Sequence, residues 1–353
     1  MAIPGHLRNR YSRQSAFHPI GDKGQGRLQD GCVVIIGCGA LGGNIANIMV
    51  RAGVGTVRIV DRDFVESHNL QRQVLFNEDD IKDKTPKAVA AERYLRKVNS
   101  SVNVQGIVAD ANSANIERLV DGADIILDGL DNMEARFLIN DVSLKHKIPW
   151  VYGGAIASVG MTMTIIPGQT ACLKCAFPGL DSSVELATCE TAGIVGTVPA
   201  IIGSLQATEA IKILVGDKGI SRGLLFIDVW ENDFLRLTVE PRDDCPACHG
   251  KYEALEAQFE IKTTSLCGQT RAVQVLNARA TAIDFRELAS RLEKMGPVSS
   301  DEFVLRFNVQ NKEIIVFPDG RAIVQGTIDE ALAKELYLRY IFSDSPYPSR
   351  QKP

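Results

Sequence analysis

The sequence lacks a basic excess. Its formal net charge is −4, so no global positive field is available to hold a nucleic-acid backbone, and any anion site must be local. It also lacks an apolar leader. The opening stretch MAIPGHLRNRYSRQ carries Arg8, Arg10 and Arg13 without the hydrophobic run a secretory signal needs, which reads as a cytoplasmic protein. No uninterrupted membrane-length run is present either. The most apolar segment, Ile194 to Leu214, is broken by Gly196, Pro199, Gly203, Gln206, Glu209 and Lys212, and is expected to be a buried core helix. Repeats and low-complexity tracts are missing, and aromatics make up only 6% of a chain that is 45% hydrophobic, a composition that is globular and neither collagenous nor disordered. At 353 residues about two domains are expected. Eight cysteines in a chain read as cytoplasmic point to metal binding or catalysis before disulfides, because the cytosol keeps thiols reduced.

What is present is an alternation of strands and helices. The apolar run Gly31 to Ile36 ends in glycines, Leu41 to Arg51 is helix-like, and Val57 to Val60 is apolar again and ends at Asp61, which together make a βαβ unit. A helix over Lys87–Val98, strands over Val102–Val108 and Ile125–Leu127, a helix over Asn132–His146 and strands over Val151–Gly154 and Met161–Ile166 follow. The fold class predicted is α/β, a Rossmann-like, doubly wound, mostly parallel sheet, with ligands beyond the strand C-termini. Residues 1–250 form this domain, a polar stretch at 251–270 is expected as a linker, and 271–353 form a small α+β module. That module is expected to hold a strand at Ala272–Leu276, a helix at Asp284–Met295 capped by Asp284, a meander over Glu302–Val324 and a closing helix at Ile328–Ile341.

Gly37-Cys38-Gly39-Ala40-Leu41-Gly42 matches G-x-G-x-x-G between a strand and a helix, and Asp61 stands about twenty residues on, where a ribose-binding acid belongs. The glycines let backbone N–H groups approach a phosphate at the positive end of a helix. The same turn serves NAD, so an NAD-dependent oxidoreductase competes with an ATP enzyme at this point. The segments that follow separate the two. Asn69-Leu70-Gln71-Arg72-Gln73 supplies an arginine and Thr85-Pro86-Lys87 a lysine at a helix start, cations suited to a triphosphate with a departing pyrophosphate.

Arg10-Tyr11-Ser12-Arg13-Gln14, GCGALGG, the VDRD of Val60 to Asp63, NLQRQ, TPKA, LDGLDN at Leu127 to Asn132 and GSLQATEAIKIL at Gly203 to Leu214 together resemble the ThiF/MoeB/HesA family, relatives of the ubiquitin-activating enzymes, over about Arg10 to Gly250. The resemblance implies ATP-dependent adenylylation of the C-terminal Gly-Gly carboxylate of a small ubiquitin-like sulfur carrier. It implies ATP, Mg²⁺ and Zn²⁺ as cofactors, and as partners the carrier, a sulfur donor such as a cysteine desulfurase and a second copy of the chain. By the same resemblance Gly39 and Ala40 lie against the phosphates, Gly37 and Gly42 complete the nucleotide-binding turn, Asp61 holds the ribose with Asp63 beside it, and Asn69, Arg72 and Lys87 contact the polyphosphate. Asp131 binds Mg²⁺ next to Asn132, and Arg13 reaches the ATP site of a second subunit. Ala40 stands where many members have a third glycine, and His68 where several have serine. A catalytically silent scaffold of the same fold is the further alternative.

Cys172-Leu173-Lys174-Cys175 and Cys245-Pro246-Ala247-Cys248 form two C-x-x-C knuckles, which in a reduced compartment indicate a tetrahedral, structural Cys₄ zinc. Cys189 has two open readings: the cysteine that relatives use, or are proposed to use, for a covalent link to the carrier, and an ordinary residue at a helix start. Cys32, Cys38 and Cys267 are expected to be packing residues. The C-terminal module carries no rhodanese signature; docking of the carrier or support of a dimer is the plain reading.

Overall fold

Two helices, α1 (Gly5–Ser15) and α2 (Gly21–Asp30), lead into strand β1 (Cys32–Ile36). Strand and helix then alternate: α3 (Ala40–Ala52), β2 (Thr56–Asp61), α4 (Glu78–Lys82), α5 (Lys87–Val98), β3 (Asn103–Val108), α6 (Ile116–Val120), β4 (Ile125–Asp128), α7 (Met133–His146) and β5 (Trp150–Ile156). After them come β6 (Val159–Ile165), α8 (Leu173–Ala176), α9 (Cys189–Ala192), α10 (Thr197–Val215), β7 (Leu224–Asp228), β8 (Asp233–Leu237) and α11 (Glu253–Glu256). The computed structural model describes residues 5–180, 189–266, 271–280 and 283–342, and the chain divides into two units, Met1–Ala257 and Gln258–Pro353.

In the first unit the strands run in the order β3-β2-β1-β4-β5-β6-β7-β8. The pairs from β3 to β5 are parallel and those from β5 to β8 antiparallel. The continuous apolar runs have a direct cause. Val33 and Ile35 face a core with Ile45 and Met49 of α3, Leu95 of α5 and Ala207 of α10, while Val34 and Ile36 face another with Leu119 of α6 and Ile139 and Val142 of α7. A strand buried on both faces needs apolar residues at every position, and each such side chain contributes about 1.5–3 kcal/mol by leaving water. The chain leaves β1 toward β2 on one side, whereas β4 lies on the other. A crevice therefore opens beyond the C-terminal ends of β1 and β4, the point where such sheets receive ligands.

Among the described residues α10 is the one helix long and apolar enough to cross a membrane. Its polar interruptions are used inside the protein instead. Buried Gln206 donates to the carbonyls of Asp128 (2.9 Å) and Val151 (3.1 Å). Buried Glu209 accepts from Ser221 N (2.8 Å) and pairs with Lys212 (2.7 Å). The β7–β8 hairpin has no counterpart in the sequence reading, because every residue of β8 is exposed and the two-residue alternation that betrays a strand is missing.

The second unit contains β9 (Ile261–Leu266), β10 (Ala272–Asn277), α12 (Phe285–Leu292), β11 (Val298–Ser300), β12 (Leu305–Val309), β13 (Lys312–Val316), β14 (Ala322–Gln325) and α13 (Glu330–Tyr340). Its antiparallel sheet runs β11-β12-β13-β14-β10-β9 over a core that includes Val273, Val275, Phe307, Ile314, Leu336 and Tyr337. Asp284 caps α12, accepting from Arg286 N at 2.8 Å. The β13–β14 turn closes through Gly320 at φ +83°. The stretch 251–270, expected as a linker, differs from that expectation: its described part carries α11, tied to α7 through Ala254 N and Asp141 Oδ2 (2.8 Å), and the edge strand β9.

Candidate active site

The site begins where β1 ends. Gly37 adopts φ +93°, and its N–H donates to Val60 O at 2.7 Å. A Cβ on Gly37 would stand 2.5 Å from Gly129 O, one on Gly42 1.9 Å from Gly37 O, and one on Gly129 2.3 Å from Gly37 O. These three glycines are required by packing, since they let the exits of β1 and β4 and the first turn of α3 touch. Gly39 differs: a Cβ there would meet only Gln73 Nε2, at 3.8 Å. Its backbone and that of Ala40 form the open N-terminus of α3, where the amide dipoles favour an anion.

Asp61 braces this turn from beneath. It is 8% exposed, and its two carboxylate oxygens accept from Cys38 N (2.6 Å) and Asp63 N (2.7 Å). Burial pushes its carboxyl up, and the Lys87 ammonium pulls it only part of the way back. Lys87, the first residue of α5, lies 3.1 Å from Asp63 Oδ2. Burial opposes its charge, but Asp63 and Asp61 outweigh that and hold it above the usual lysine range. Arg62, which the sequence reading passed over, pairs with Asp110 at 3.0 Å and Asp63 at 3.6 Å. Asp131 adds to the field at both Arg62 and Lys87. Asp61, Asp63, Asp110, Asp131, Arg62 and Lys87 thus form one electrostatic cluster at the strand ends.

The turn after β4 rests on a buried pair. Asp128 is fully buried and accepts from Leu130 N (2.9 Å), Arg136 Nε (3.0 Å) and Gly153 N (3.2 Å). Burial pushes its carboxyl up against the pull of Arg136. Arg136 also donates to the carbonyls of Leu130 (2.6 Å) and Gly153 (2.8 Å), which pins residues 129–132 to β5. Asn132 caps α7 by accepting from Ala135 N at 2.9 Å, and Asp131 before it is exposed. The sequence reading gives neither Asp128 nor Arg136 a role, because what marks them, burial against Gly153 of β5, exists only in the fold.

In the NLQRQ segment Asn69 is buried, and its Oδ1 accepts from Glu66 N (3.1 Å), closing a one-turn 3₁₀ helix. Arg72 donates to His68 O at 2.8 Å, and the position of Gly196, just before α10, lies against Gln71 and Arg72.

The two C-x-x-C knuckles meet. The sulfurs of Cys172 and Cys175 are 3.7 Å apart, those of Cys172 and Cys245 3.6 Å, and those of Cys175 and Cys248 3.6 Å; all four lie within 4.8 Å of one another. Tetrahedral Zn–S bonds of ~2.3 Å place sulfurs ~3.8 Å apart, so the donor set fits zinc. His249 is turned away, its Nε2 lying 2.6 Å from Asp243 O.

Comparison with known proteins agrees with this geometry. Residues 11–247 match the model of the ThiF family. This chain belongs to the ThiF family. It is 41% identical over 339 residues to the sulfur carrier protein ThiS adenylyltransferase of Bacillus subtilis (strain 168), covering 95% of this chain and 100% of that one. It is 36% identical over 250 residues to the SAMP-activating enzyme E1 of Haloferax volcanii, covering 70% and 92%. In fold it is similar to a crystal structure of E. coli MccB with ATP, at a TM-score of 0.60 and 25% identity, covering 70% of this chain and 77% of that one.

Among the expected residues of this ThiF-family chain, Arg13 stands apart from the cluster. Arg13 is exposed on α1, which is anchored through Arg10 to Val98 O (3.1 Å) and through Tyr11 to Asn99 (2.8 Å). That is the far end of α5 from Lys87, about 18 Å along the helix at 1.5 Å per residue. Cys189 opens α9, but its side chain and the preceding residues 181–188 lie outside the described residues, as does Cys267. Cys38 is fully buried.

Proposed function

We propose that this ThiF-family chain uses ATP to adenylylate the C-terminal Gly-Gly carboxylate of a small ubiquitin-like sulfur-carrier protein, preparing it for thiocarboxylate formation. The single observation that carries the reading is the glycine turn at the β1/β4 crevice with the Lys87–Asp61–Asp63–Asp131 cluster beside it. Family membership and relatives named as carrier adenylyltransferases support the same reading. An NAD-dependent dehydrogenase leaves the NLQRQ segment and the cysteine cluster without a purpose. A silent scaffold has no need of Arg72, Lys87 and Asp131 together.

A carboxylate with an ordinary pKa is ionised at neutral pH, so the carrier's terminal oxygen attacks the α-phosphorus without a general base. A carboxyl O–P bond forms, the bond to the bridging oxygen breaks, and pyrophosphate leaves with the electron pair. The chain's task is to orient and neutralise. The N–H groups of Gly39 and Ala40 receive phosphate oxygens, Asp61 accepts from ribose hydroxyls, and Lys87 and Arg72 offset the charge that builds on the leaving group. Asp131, exposed beside Lys87 and Arg62, would hold Mg²⁺, which supplies further charge neutralisation. Arg13 completes the site of a second copy in a homodimer, because it stands too far from its own Lys87. Cys172, Cys175, Cys245 and Cys248 would hold a zinc ion with no open position, a structural role. Cys189 acts after adenylylation, if it acts in the reaction, with sulfur drawn from a donor such as a cysteine desulfurase in the cytoplasm.

The test is exchange of labelled pyrophosphate into ATP. It should require a carrier ending in a free Gly-Gly and vanish with Asp131→Ala. Exchange that persists with a carrier lacking its last glycine would falsify the assignment of the nucleophile.

A further inference from the structure

Gln73 is 4% exposed, yet its Oε1 has no hydrogen-bond partner. Buried polar groups are nearly always paired, because an unmade bond forfeits the solvation given up on burial. The unpaired group also has a direction: Nε2 of the same carboxamide stands 3.8 Å from where a Cβ on Gly39 would be, at the open N-terminus of the thirteen-residue helix α3. The two neighbours expected to bind phosphate are already occupied in part. Asn69 Oδ1 is held by Glu66 N and Arg72 by His68 O.

We propose that Gln73 is a further nucleotide-binding residue, its carboxamide completing the phosphate cradle at Gly39 once ATP is bound. This deepens the adenylyltransferase reading and rests on it. A carboxamide offers a donor and an acceptor, exchanged by a half-turn of its last bond. Nε2 donates to a phosphate oxygen lying on the Gly39 and Ala40 amides, while Oε1 accepts from the water that accompanies a polyphosphate. The peptide tail of the carrier presents similar groups, but the amide faces the glycine turn, where the pyrophosphate approaches the backbone most closely.

The test compares unmutated protein with Gln73→Met, which keeps the length of the side chain and removes both polar atoms. Calorimetric titration with ATP alone, without carrier, measures binding; thermal melts without nucleotide measure the fold. Because the carboxamide has an oxygen bound to nothing, the melting temperature should stay the same or rise. ATP affinity should fall about tenfold, about 1.4 kcal/mol, and KM for ATP in pyrophosphate exchange should rise with little change in kcat. Gln73→Glu, which sets a negative charge against the phosphates, should bind more weakly still. Unchanged ATP affinity overturns the proposal, and if KM for the carrier rises instead, the amide serves the carrier tail. A lower melting temperature with unchanged ATP affinity makes Gln73 merely structural, which also overturns it. Failure of the unmutated protein to bind ATP is a different result, because it defeats the adenylyltransferase reading itself.

Discussion

Alanine at three glycines should separate packing from ligand approach within a single motif. In Gly42→Ala the new methyl would sit 1.9 Å from Gly37 O, a backbone atom that cannot swing away, so α3 must shift from β1. Overpacking of this kind costs ~1–3 kcal/mol or more. With a loss of ~2–4 °C per kcal/mol for a domain of this size, Gly42→Ala should melt about 5–10 °C lower. Gly37→Ala should cost at least as much, since φ +93° is strained for alanine and the methyl would meet Gly129 O at 2.5 Å. Gly39→Ala is the contrast. Its φ is −81° and the nearest atom to the methyl is 3.8 Å away, so only its ψ of −147°, outside the regions alanine prefers, opposes the change, and the melting temperature should fall by about 2–4 °C at most, for a cost of ~1 kcal/mol. The methyl would nonetheless occupy the place where a phosphate meets the backbone, and ATP should no longer raise the melting temperature. Calorimetric melts with and without ATP check all three. Should Gly39→Ala destabilise the empty protein as much as Gly42→Ala, or leave the ATP-induced shift intact, the division of roles within the turn is wrong.

Zinc analysis of freshly reduced protein should find about one equivalent per chain, and Cys172→Ser combined with Cys245→Ser should remove it and much of the soluble yield; metal-free native protein would contradict the assignment. Arg13→Ala and Lys87→Ala variants should each be inactive in exchange, yet recover about a quarter of full activity when mixed and allowed to swap subunits, as one intact site in each mixed C₂ dimer requires. No recovery on mixing would place Arg13 in its own chain's site or outside the reaction. Cys189→Ser should leave exchange near its unmutated rate and abolish any thiol-sensitive adduct with the carrier; collapse of exchange itself would put Cys189 in the nucleotide step. Arg136→Leu should cost about 3–5 kcal/mol, the penalty for leaving a buried charge unpaired, measured by denaturant unfolding. A loss below 1 kcal/mol would show that Asp128 finds another partner.

How far the sequence can be read depended on whether a feature is local. The strands β1, β2 and β4 and the helix α5 fall within a residue or two of expectation, because an apolar run flanked by glycine or capped by a proline carries its own signal. Asp284 was legible as a cap for the same reason. What escaped depends on distant partners. Asp128 and Arg136 look like an ordinary acid and base until β5 brings Gly153 against both, and Arg62 acquires meaning only when β3 delivers Asp110 beside it. Gly37 and Gly42 belong to the nucleotide-binding turn by motif, whereas the geometry gives them a packing reason that no spacing rule distinguishes from a binding one. The β7–β8 hairpin and β9 escaped because half-exposed or fully exposed strands lack a hydrophobic period.

Helix α7 joins the two chemically distinct parts of the first unit. It starts on Asn132, next to Asp131 in the crevice, and Arg136 on its first turns locks the β4 turn in place. One turn further on, Asn140 Oδ1 accepts from Leu173 N (2.8 Å) and Asp141 Oδ2 from Ala254 N (2.8 Å). The first of these amides lies inside one cysteine knuckle and the second in the segment that follows the other, so a metal held by Cys172, Cys175, Cys245 and Cys248 would also hold α7 through both bonds. Arg136, Asn140 and Asp141, which make these bonds, are buried. A structural metal at the four cysteines would therefore bear on the position of Asp131, because Leu173 to Asn140 and Arg136 to Leu130 link knuckle, helix and turn by successive hydrogen bonds, and a shift at either end must break some of them.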